Sequence, residues 1–598
     1  MEIKIDYLKN SSCVVIHTNS PESPEWGLLK RIINDSIEDV RVKYDAIKFA
    51  WRHFLTVKKE VASFANTHSI KIYITNEASV FLQTANNSSY AAALKIKPFS
   101  IEETTERLQK IGFVRQLTDN QKNNLYKISC LPGGAMFSVP GAGKTTEALA
   151  YFFLNATYND RLLVVAPKNA FSAWDEQLIA CIPTVRDSFI RLRGSENTIR
   201  TLLSERPKFM LITYQKLPKV KQLIANELAH GDIFMFLDES HRIKSGKQAI
   251  TADTILGLSY LPIRKLIMSG TPMPQNNTDL IPQFQYLYPE KNVSPDNVIE
   301  LFQPIFVRTT KKQLNIPPVE HRLITVEMDE LQSQLYKILK SEMRRQLNPC
   351  LSDDSKHALR KIGNCTIKIM QFVSNPTLLA TDMSFAFDLR VGNVLLNSNS
   401  PKIEYACKKA RALSVEGKKV IIWSSFVKNV ELIAERLKDI GADYIHGGID
   451  AGDENDTDTR EGKIRRFHDD PAAMVLVANP SAASEGISLH KVCQYAIYVD
   501  RTFNAAHYLQ SEDRIHRLGL SWDQKPIVEI VECRETIDQV IRNRLEDKVH
   551  KMSEALNDPS LVIEAIPYDS YEDDDIVDNI DSEDVKAILN FFFAGNAL

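Results

Sequence analysis

Apolar residues in the first part of the chain form short runs and helical periodicities in alternation. Runs rich in β-branched residues predict strands at Met1–Ile5, Cys13–His17 and Ile70–Thr75. Helical spacing predicts helices over Lys30–Leu55 and Ala78–Leu94. Because no segment with recognisable chemistry occurs here, residues 1–105 are predicted to form a small accessory α/β or α+β domain.

The pattern changes near residue 106, where continuous apolar runs of strand length begin to recur, each followed by helical periodicity. The predicted strands of residues 106–310 are Met136–Val139, Leu162–Ala166, Phe209–Ile212, Ile233–Leu237 and Leu266–Met268. Residues 311–400 are predicted to be mainly helical, without a strand series. In residues 401–555 the predicted strands are Val420–Trp423, Met474–Ala478, Tyr495–Val499 and Ile527–Val531. Such alternation is typical of parallel sheets buried on both faces, so the predicted fold class is α/β, with two parallel-sheet lobes in tandem.

Residues 556–598 have a different composition. Asp569–Asp581 is dominated by acidic residues and is predicted to be a solvated linker. Ser582–Phe593 is predicted to be a short helix, with Ser582 able to cap it and acidic residues in its first turn. Two interpretations of this helix stay open: it docks on its own chain, or it binds a protein partner.

Composition bounds the function. A chain of 598 residues is expected to hold three to four domains. No apolar run approaches the roughly 18 residues of a membrane span, and the first residues lack a secretory pattern, so a cytoplasmic or nucleoid-associated protein without membrane contact is expected. The eight cysteines form no C-x-x-C pair, which favours reduced thiols over a zinc site. Because the net charge is −3, any surface that binds nucleic acid is expected to be a local groove rather than the whole surface.

A glycine turn between a predicted strand and a predicted helix carries the first chemistry. Its residues are Gly141-Ala142-Gly143-Lys144-Thr145-Thr146. Glycines let backbone N–H groups approach phosphates, and the helix N-terminus adds a positive dipole end. Lys144 can reach the β- and γ-phosphates of ATP, and the Thr145 hydroxyl can bind Mg²⁺. The general phosphate-loop pattern has glycine at position 138, where this chain has Ser138.

A pair of carboxylates follows the strand Ile233–Leu237. Asp238 is placed to supply a second contact to Mg²⁺, and Glu239 can orient and polarise the attacking water. An Asp-Glu pair after a strand is weak evidence alone. After a phosphate loop at this spacing, it strongly favours ATP hydrolysis.

The motifs of this region resemble those of superfamily-two helicases. Asp238-Glu239-Ser240-His241 resembles the DExH box, and Ser269-Gly270-Thr271-Pro272 resembles the third motif, which links hydrolysis to movement. Gln121 resembles the adenine-reading glutamine. Pro167 and Lys168, with Trp174 to Glu176, resemble motif Ia, and Thr213 lies in a segment like motif Ib. The resemblance implies that motifs Ia and Ib contact the nucleic-acid backbone.

The second lobe carries the remaining motifs. Ser425 lies in a segment like motif IV, and Ser484 and Gly486 lie in one like motif V; the resemblance implies backbone contact by the two serines and nucleotide contact by Gly486. The run around Arg514 and Arg517 resembles motif VI of the Swi/Snf-related branch. Two arginines three residues apart are expected to share a helical face and, as always-charged forks, to stabilise the γ-phosphate in the transition state.

The resemblance covers about residues 106–550 and implies two RecA-like lobes that use ATP and Mg²⁺ to move along DNA, with duplex DNA favoured. Two alternatives stay open. One is an RNA or strand-separating helicase, which the form of motif VI disfavours. The other is a DNA-sensing ATPase subunit of a bacterial antiviral complex, with a protein partner on residues 1–105 or on the C-terminal helix.

Overall fold

The computed structural model describes most of the chain, in twelve segments. They are residues 1–8, 13–37, 40–87, 89–229, 232–350, 355–380, 399–449, 456, 458–480, 488–558, 561 and 581–593. Two compact units are present. The first consists of residues 1–139, 143–272 and 277–309, and the second of residues 140–142, 273–276 and 310–598. Among the described helices, none combines the length and apolar character that a membrane span requires.

The described strands fall into three sheets. They are β1 (Glu2–Leu8), β2 (Cys13–Thr18), β3 (Arg41–Val42), β4 (Ala46–Ala50), β5 (Lys71–Ile74), β6 (Gly133–Met136), β7 (Arg161–Val165), β8 (Phe189–Arg191), β9 (Phe209–Ile212), β10 (Ile233–Asp238), β11 (Arg264–Met268), β12 (Phe306–Val307), β13 (Glu320–Val326), β14 (Lys419–Trp423), β15 (Asp443–Ile445), β16 (Val475–Ala478), β17 (Cys493–Tyr498) and β18 (Ile527–Cys533).

The described helices connect and cover these strands. They are α1 (Pro24–Ser36), α2 (Trp51–Thr67), α3 (Asn76–Asn87), α4 (Tyr90–Ala93), α5 (Ile101–Lys110), α6 (Asp119–Ile128), α7 (Lys144–Asn155), α8 (Phe171–Cys181), α9 (Glu196–Ser204), α10 (Lys221–Ala229), α11 (Ile250–Leu258), α12 (Leu280–Leu287), α13 (Val298–Phe302), α14 (Glu330–Leu347), α15 (Lys356–Ser374), α16 (Pro401–Val415), α17 (Val427–Arg436), α18 (Arg460–Asp469), α19 (Ala505–Glu512), α20 (Ile537–Ala555) and α21 (Ser582–Phe593).

The N-terminal sheet of the first unit is mixed, in the order β3-β4-β2-β1-β5. The predicted helix over Lys30–Leu55 is wrong, because β3 and β4 lie between α1 and α2. The backbone reverses at Lys43, whose N–H donates to Ala46 O over 2.7 Å. Residues Ala46–Ala50 then alternate across the sheet, a period that five residues between two helices do not reveal.

The second sheet of the first unit is entirely parallel, in the order β12-β6-β11-β10-β7-β9-β8. Four of its five central strands overlap the predicted apolar runs closely, and β9 matches its predicted bounds. The predicted strand Met136–Val139 is wrong in its bounds, because β6 ends at Met136. Helix α5 spans the predicted boundary near residue 105 and packs against α6 and α7. The α/β fold class and the first of the two predicted lobes are therefore confirmed.

The third sheet, in the second unit, is also parallel, in the order β13-β18-β17-β14-β16-β15. It confirms the second lobe. Its edge strand β13 lies within residues 311–400, which were predicted to carry no strand series, so that prediction is wrong there. β13 is exposed or half-buried along its whole length. It therefore lacks the continuous apolar run by which the central strands are recognised.

The C-terminal helix α21 has the predicted bounds, Ser582–Phe593. Its first turn is capped by Asp581, whose Oδ1 accepts from Glu583 N and Asp584 N over 2.9 and 2.7 Å. Ser582, the predicted cap, is already the first helical residue. The helix packs against α14 and α20 of its own unit. Most of the predicted acidic linker lies outside the described residues.

Candidate ATP site

The carboxyl ends of the parallel strands of the second sheet bring predicted site residues to one sheet edge. The phosphate loop follows β6, Pro167 follows β7, Thr213 follows β9, Asp238 ends β10 and Ser269 follows β11. In open α/β sheets this edge is where ligands bind. Residues far apart in the chain are thus gathered by topology alone.

The phosphate loop turns sharply before α7. Gly141 and Gly143 have φ of +83° and +86°, a region that favours glycine. A Cβ on Gly143 would lie 2.3 Å from Gln121 Nε2, so a side chain at position 143 would displace that amide. Lys144 Nζ donates to Ser138 O over 2.8 Å, which holds the ammonium over the turn. Thr145 is half-buried at the first turn of α7.

Ser138, the departure from the general pattern, has a structural role. Its side chain is fully buried, and its Oγ accepts from Thr309 N over 2.9 Å. The neighbouring ladder continues as Val139 N donates to Thr309 O over 3.1 Å. The hydroxyl therefore ties the start of the loop to the segment after β12, a contact that glycine could not make.

Gln121, the predicted adenine contact, sits in the first turn of α6. Its Oε1 accepts from Thr118 N over 2.9 Å, and its Nε2 donates to Gly143 O over 3.5 Å. The same amide thus caps its helix and reaches the phosphate loop. Its contact with adenine stays a prediction.

Asp238 and Glu239 form a half-buried acidic pair at the end of β10, with 34% of the Glu239 side chain exposed. Asp238 Oδ2 accepts from Trp174 Nε1 over 3.0 Å, and its Oδ1 accepts from Glu239 N over 3.0 Å. Burial, and then the neighbouring charge of Glu239, raise the pKa of Asp238. Burial also acts to raise the pKa of Glu239, but the hydrogen bond and charge of His241 outweigh it and lower that pKa. Glu239 therefore ionises readily, whereas the ionised form of Asp238 would be stabilised by a bound cation.

The backbone of Glu239 is in the left-handed region, with φ of +54°. A residue with a side chain adopts this conformation at a cost of about 1–3 kcal/mol, and such strain clusters at functional sites. This turn ends strand β10 at Asp238, so Glu239 lies outside the strand. The strained backbone is a second sign, independent of the motif, that this turn is built for a site.

The donor set fits ATP with a divalent cation. The glycine cradle has no room for a Cβ at Gly143, Lys144 supplies a positive charge, and α7 presents its N-terminus. The Thr145 hydroxyl and the Asp238 carboxylate are both hard oxygen ligands, which Mg²⁺ prefers. We expect these two residues to hold the cation.

His241 connects the DExH box to the third motif. Its Nδ1 lies 3.0 Å from Ser269 Oγ and 3.4 Å from Glu239 Oε2. Ser240 Oγ donates to Gln283 Oε1 over 2.7 Å, and Gln283 Nε2 donates to Pro272 O over 2.7 Å. A change at Glu239 can therefore reach both ends of the Ser269–Pro272 segment through two buried contacts.

The nucleic-acid candidates of the first unit lie along the same sheet edge. Pro167 precedes a single helical turn in which Lys168 is exposed. Thr213 Oγ1 accepts from Lys216 N over 3.2 Å, so this hydroxyl shapes its own turn. Contact of these residues with nucleic acid stays a prediction.

In the second unit, Arg514 and Arg517 do not lie on a helix. Helix α19 ends at Glu512, and after it Arg514 N donates to Ser511 O and Ile515 N to Glu512 O, which are turn bonds. The expected shared helical face is therefore wrong. Spacing alone predicted a helix, but the backbone tightens because Glu512 and the next residue are held by side chains from elsewhere. Arg514 is buried and Arg517 half-buried.

Lys311 organises the start of this turn. Its Nζ lies 2.6 Å from Asp513 Oδ1 and 3.6 Å from Glu512 Oε1, and these carboxylates raise its pKa although burial opposes them. His321 Nε2 lies 2.7 Å from Glu512 Oε2, and His516 Nε2 lies 2.7 Å from Pro317 O. The turn that carries both arginines is thus fixed by the segment after β12.

Asp500 joins the carboxyl ends of two strands of the third sheet by hydrogen bonds. Its Oδ2 accepts from Ser374 Oγ and Ser424 Oγ, both over 2.6 Å, and its Oδ1 accepts from Ser425 N over 2.6 Å. The Ser425 hydroxyl is buried and makes no hydrogen bond within the described residues. Gly486 and Ser484 lie outside the described residues.

Several residues of the site were not predicted in these roles. Trp174 was assigned to motif Ia, but its indole binds Asp238. No role was predicted for Asp500 or Gln283. Glu147 is buried in α7 and accepts from Asn124 Nδ2 over 3.0 Å; burial raises the pKa of Glu147 to about 8. A polar residue inside an apolar stretch, as Glu147 is, is the one signal that could have indicated these positions.

Comparison with known proteins identifies the family. The family model for the SNF2-related domain matches residues 78–297, and that for the helicase conserved C-terminal domain matches residues 401–519. Together they cover more than half of the chain. The chain is 22% identical over 83% of its length to the CHD3-type chromatin-remodeling factor CHR7 of Arabidopsis thaliana, covering 42% of that protein. It is 22% identical over 70% of its length to the transcription regulatory protein SNF2 of Saccharomyces cerevisiae, covering 26%.

The chain spans less than half of the length of these two curated relatives. A solved structure, the Sulfolobus solfataricus SWI2/SNF2 ATPase core in complex with dsDNA, is 18% identical, with a TM-score of 0.32 over 80% of this chain and 97% of that one. The two family matches coincide with the two lobes that carry the motifs. The chain therefore belongs to the Swi/Snf-related branch of the superfamily-two helicase-type ATPases, a branch of nucleic-acid-stimulated enzymes.

Proposed function

We propose that the chain is a motor that hydrolyses ATP when it binds duplex DNA and uses that energy to translocate and displace bound molecules. The observation that carries the proposal is the convergence of the glycine turn, Lys144 and the half-buried Asp238-Glu239 pair at one sheet edge. Membership of the SNF2-related family supports DNA as the substrate. Contacts to phosphate rather than to base edges imply low sequence specificity.

Each residue has a proposed role. Lys144 binds the β- and γ-phosphates, and Glu239 holds the attacking water and takes up its proton. Bound Mg²⁺ supplies positive charge to the phosphates, held by Thr145 and Asp238. Arg514 and Arg517 stabilise the charge that develops on the γ-phosphate.

Two substitutions test the site. Lys144→Ala removes the phosphate ligand, and Glu239→Gln removes the base while keeping the side-chain shape. We expect each to reduce ATP turnover at least ~10²-fold, the lower end of the 10²–10⁴ that a general base contributes. Matched substitution of exposed Lys219→Ala should leave turnover unchanged. Normal turnover by either site variant would show that the site is misassigned.

The motor activity is tested by displacement of a third strand from a DNA triplex, a reaction that needs translocation but no opening of the duplex. We expect ATP-dependent displacement by the wild-type chain and none by Glu239→Gln. Efficient unwinding of a forked duplex would instead favour a strand-separating helicase. ATP turnover without triplex displacement would contradict translocation while leaving the ATP site intact.

A further inference from the structure

Within the described residues, helices cover one face of the N-terminal sheet. Helices α1, α2 and α3 contribute apolar side chains, Trp26, Trp51 and Ala78 among them, to the core that contains Ile3 and Ile5 of the sheet. Ile3 and Ile5 point to the same side of the sheet, because successive strand residues point to opposite faces. The three helices pack on that side. The alternate positions form the opposite face, which we call the open face: Lys4, His17 and Tyr73 are exposed on it, although Val15 and Ala46 are buried.

The register of the strands sets basic and aromatic side chains next to each other on this face. Lys4 lies opposite His17 on one neighbouring strand and opposite Tyr73 on the other. Lys48, on the next strand but one, lies opposite Arg41 on one side and opposite Val15, two residues before His17, on the other. Directly opposite residues share a face, as do residues two apart on one strand, so these five side chains lie on one face in two adjacent rows. Together they span the sheet, about 19 Å for four inter-strand spacings of ~4.8 Å. We call them the open-face set.

The open face is cationic although the chain as a whole carries a net charge of −3. The same face has two carboxylates, Glu2 and Asp6. Within the described residues, no carboxylate lies at ion-pair distance from Lys4, Arg41 or Lys48. Lys4 and Arg41 are exposed and Lys48 is half-buried, so their charges face solvent rather than a neighbouring carboxylate.

Tyr73 adds an aromatic surface. It lies on the edge strand β5 with 52% of its surface exposed, and its hydroxyl donates to Glu2 Oε1 over 3.4 Å, which holds the ring at the face. Bases of a single strand stack on an aromatic ring that lies beside cations. Bases inside a duplex are already stacked on each other and have no free face for such a ring.

We propose that the open face of the N-terminal sheet binds single-stranded nucleic acid, as a second site separate from the two motor lobes. The cations track the sugar-phosphate backbone across the strands, and a base stacks on Tyr73. The site gives the motor a hold on an unpaired strand that does not depend on ATP.

The test measures binding of a fluorescent oligo-dT to the full chain without nucleotide, over a range of salt concentrations. The double variant Lys4→Glu, Lys48→Glu is compared with Arg31→Glu, Lys59→Glu, which makes the same charge change at exposed positions of the helical layer. We expect at least tenfold weaker binding by the open-face variant alone. The slope of log K against log salt should fall in magnitude by about 1.4, since each single-strand phosphate contact contributes ~0.7.

Photocrosslinking locates the contact. A 5-iodouridine oligonucleotide should crosslink to the peptide that contains Tyr73, less to Tyr73→Ala, and again fully to Tyr73→Phe, which keeps the ring. Equal binding by the two double variants, or crosslinks confined to the lobes, would overturn the proposal. Equal competition by duplex DNA for the Tyr73 crosslink would overturn the assignment to single strands. ATP turnover is not part of either readout, so failure of the motor assignment would leave this test unaffected.

Discussion

Helix α21 docks through the buried Ile588 and Phe592 and through one buried charge, that of Asp584, which Asp584→Asn removes. Asp584 is fully buried, with Oδ2 at 2.5 Å from Lys548 Nζ and Oδ1 at 2.8 Å from Arg544 Nε. Lys548 is only 1% exposed and also donates to Phe503 O over 2.7 Å. The substitution keeps the shape of the side chain but leaves a buried ammonium short of its main counter-charge.

The expected cost follows from these contacts. Breaking one partner of a buried pair destabilises by about 3–5 kcal/mol. Asp581, 3.5 Å from Lys548, stays as a second carboxylate and places the cost at the lower end, about 3 kcal/mol. Burial raises the pKa of Asp584 even beside Lys548, so the intact pair itself contributes little net stability. The loss arises from the cation left behind.

Hydrogen exchange of the α21 amides measures this cost locally, which is preferable because unfolding of a multidomain chain is not two-state. At ~1.4 kcal/mol per tenfold, about 3 kcal/mol corresponds to at least ~100-fold faster exchange. Glu583→Gln is the matched control: it neutralises the adjacent residue, which is half exposed and pairs with Lys551 and with Arg544, so its effect should be about 1 kcal/mol.

Equal exchange in Asp584→Asn and Glu583→Gln would refute the buried clamp. So would an α21 that exchanges freely in the wild type, which would favour a tail available to a protein partner. A double-mutant cycle with Lys548→Met adds a check, since removing both charges should recover part of the loss.

Two further substitutions test the site's supports. Ser138→Gly restores the general phosphate-loop pattern but leaves Thr309 N unpaired, so the amides around Thr309 should exchange faster by the equivalent of about 1–3 kcal/mol; unchanged exchange would contradict the role of the hydroxyl. Trp174→Phe removes the donor to Asp238 Oδ2. We expect ATP turnover to fall about tenfold or more, which corresponds to a loss of ~1.4–3 kcal/mol. Tyr214→Phe loses a hydrogen bond only to the Asp238 carbonyl, so we expect a smaller fall in turnover. Equal turnover in the two variants would exclude a specific role for the indole.

The strands that are buried on both faces were predictable, because a continuous apolar run is their direct consequence. Phe209–Ile212 was predicted to the residue. Edge strands were missed: Glu320–Val326 is open to solvent along its length, and Asp443–Ile445 is only three residues long. Their identity is set by the neighbour with which they pair, which a single sequence does not show.

The candidate site divides in the same way. Gly141, Lys144 and Asp238 were predictable because local spacing defines them. Residues that act through distant partners were not, since Trp174 reaches Asp238 and Lys311 reaches Asp513 only in the fold. The turn around Arg514 shows the limit of spacing: a three-residue interval fits a helix, but side chains from residues 311 and 321 hold the chain in a turn.

The proposed motor hydrolyses ATP when DNA stimulates it, and the rate of ATP turnover by the full chain tests this most directly. The rate is measured alone and with duplex DNA, single-stranded DNA, forked DNA or RNA, each beside Glu239→Gln. We predict low turnover alone, strong stimulation by duplex DNA, and none in Glu239→Gln. Stimulation by RNA but not by duplex DNA would contradict the DNA assignment, and turnover that ignores every nucleic acid would contradict the motor itself.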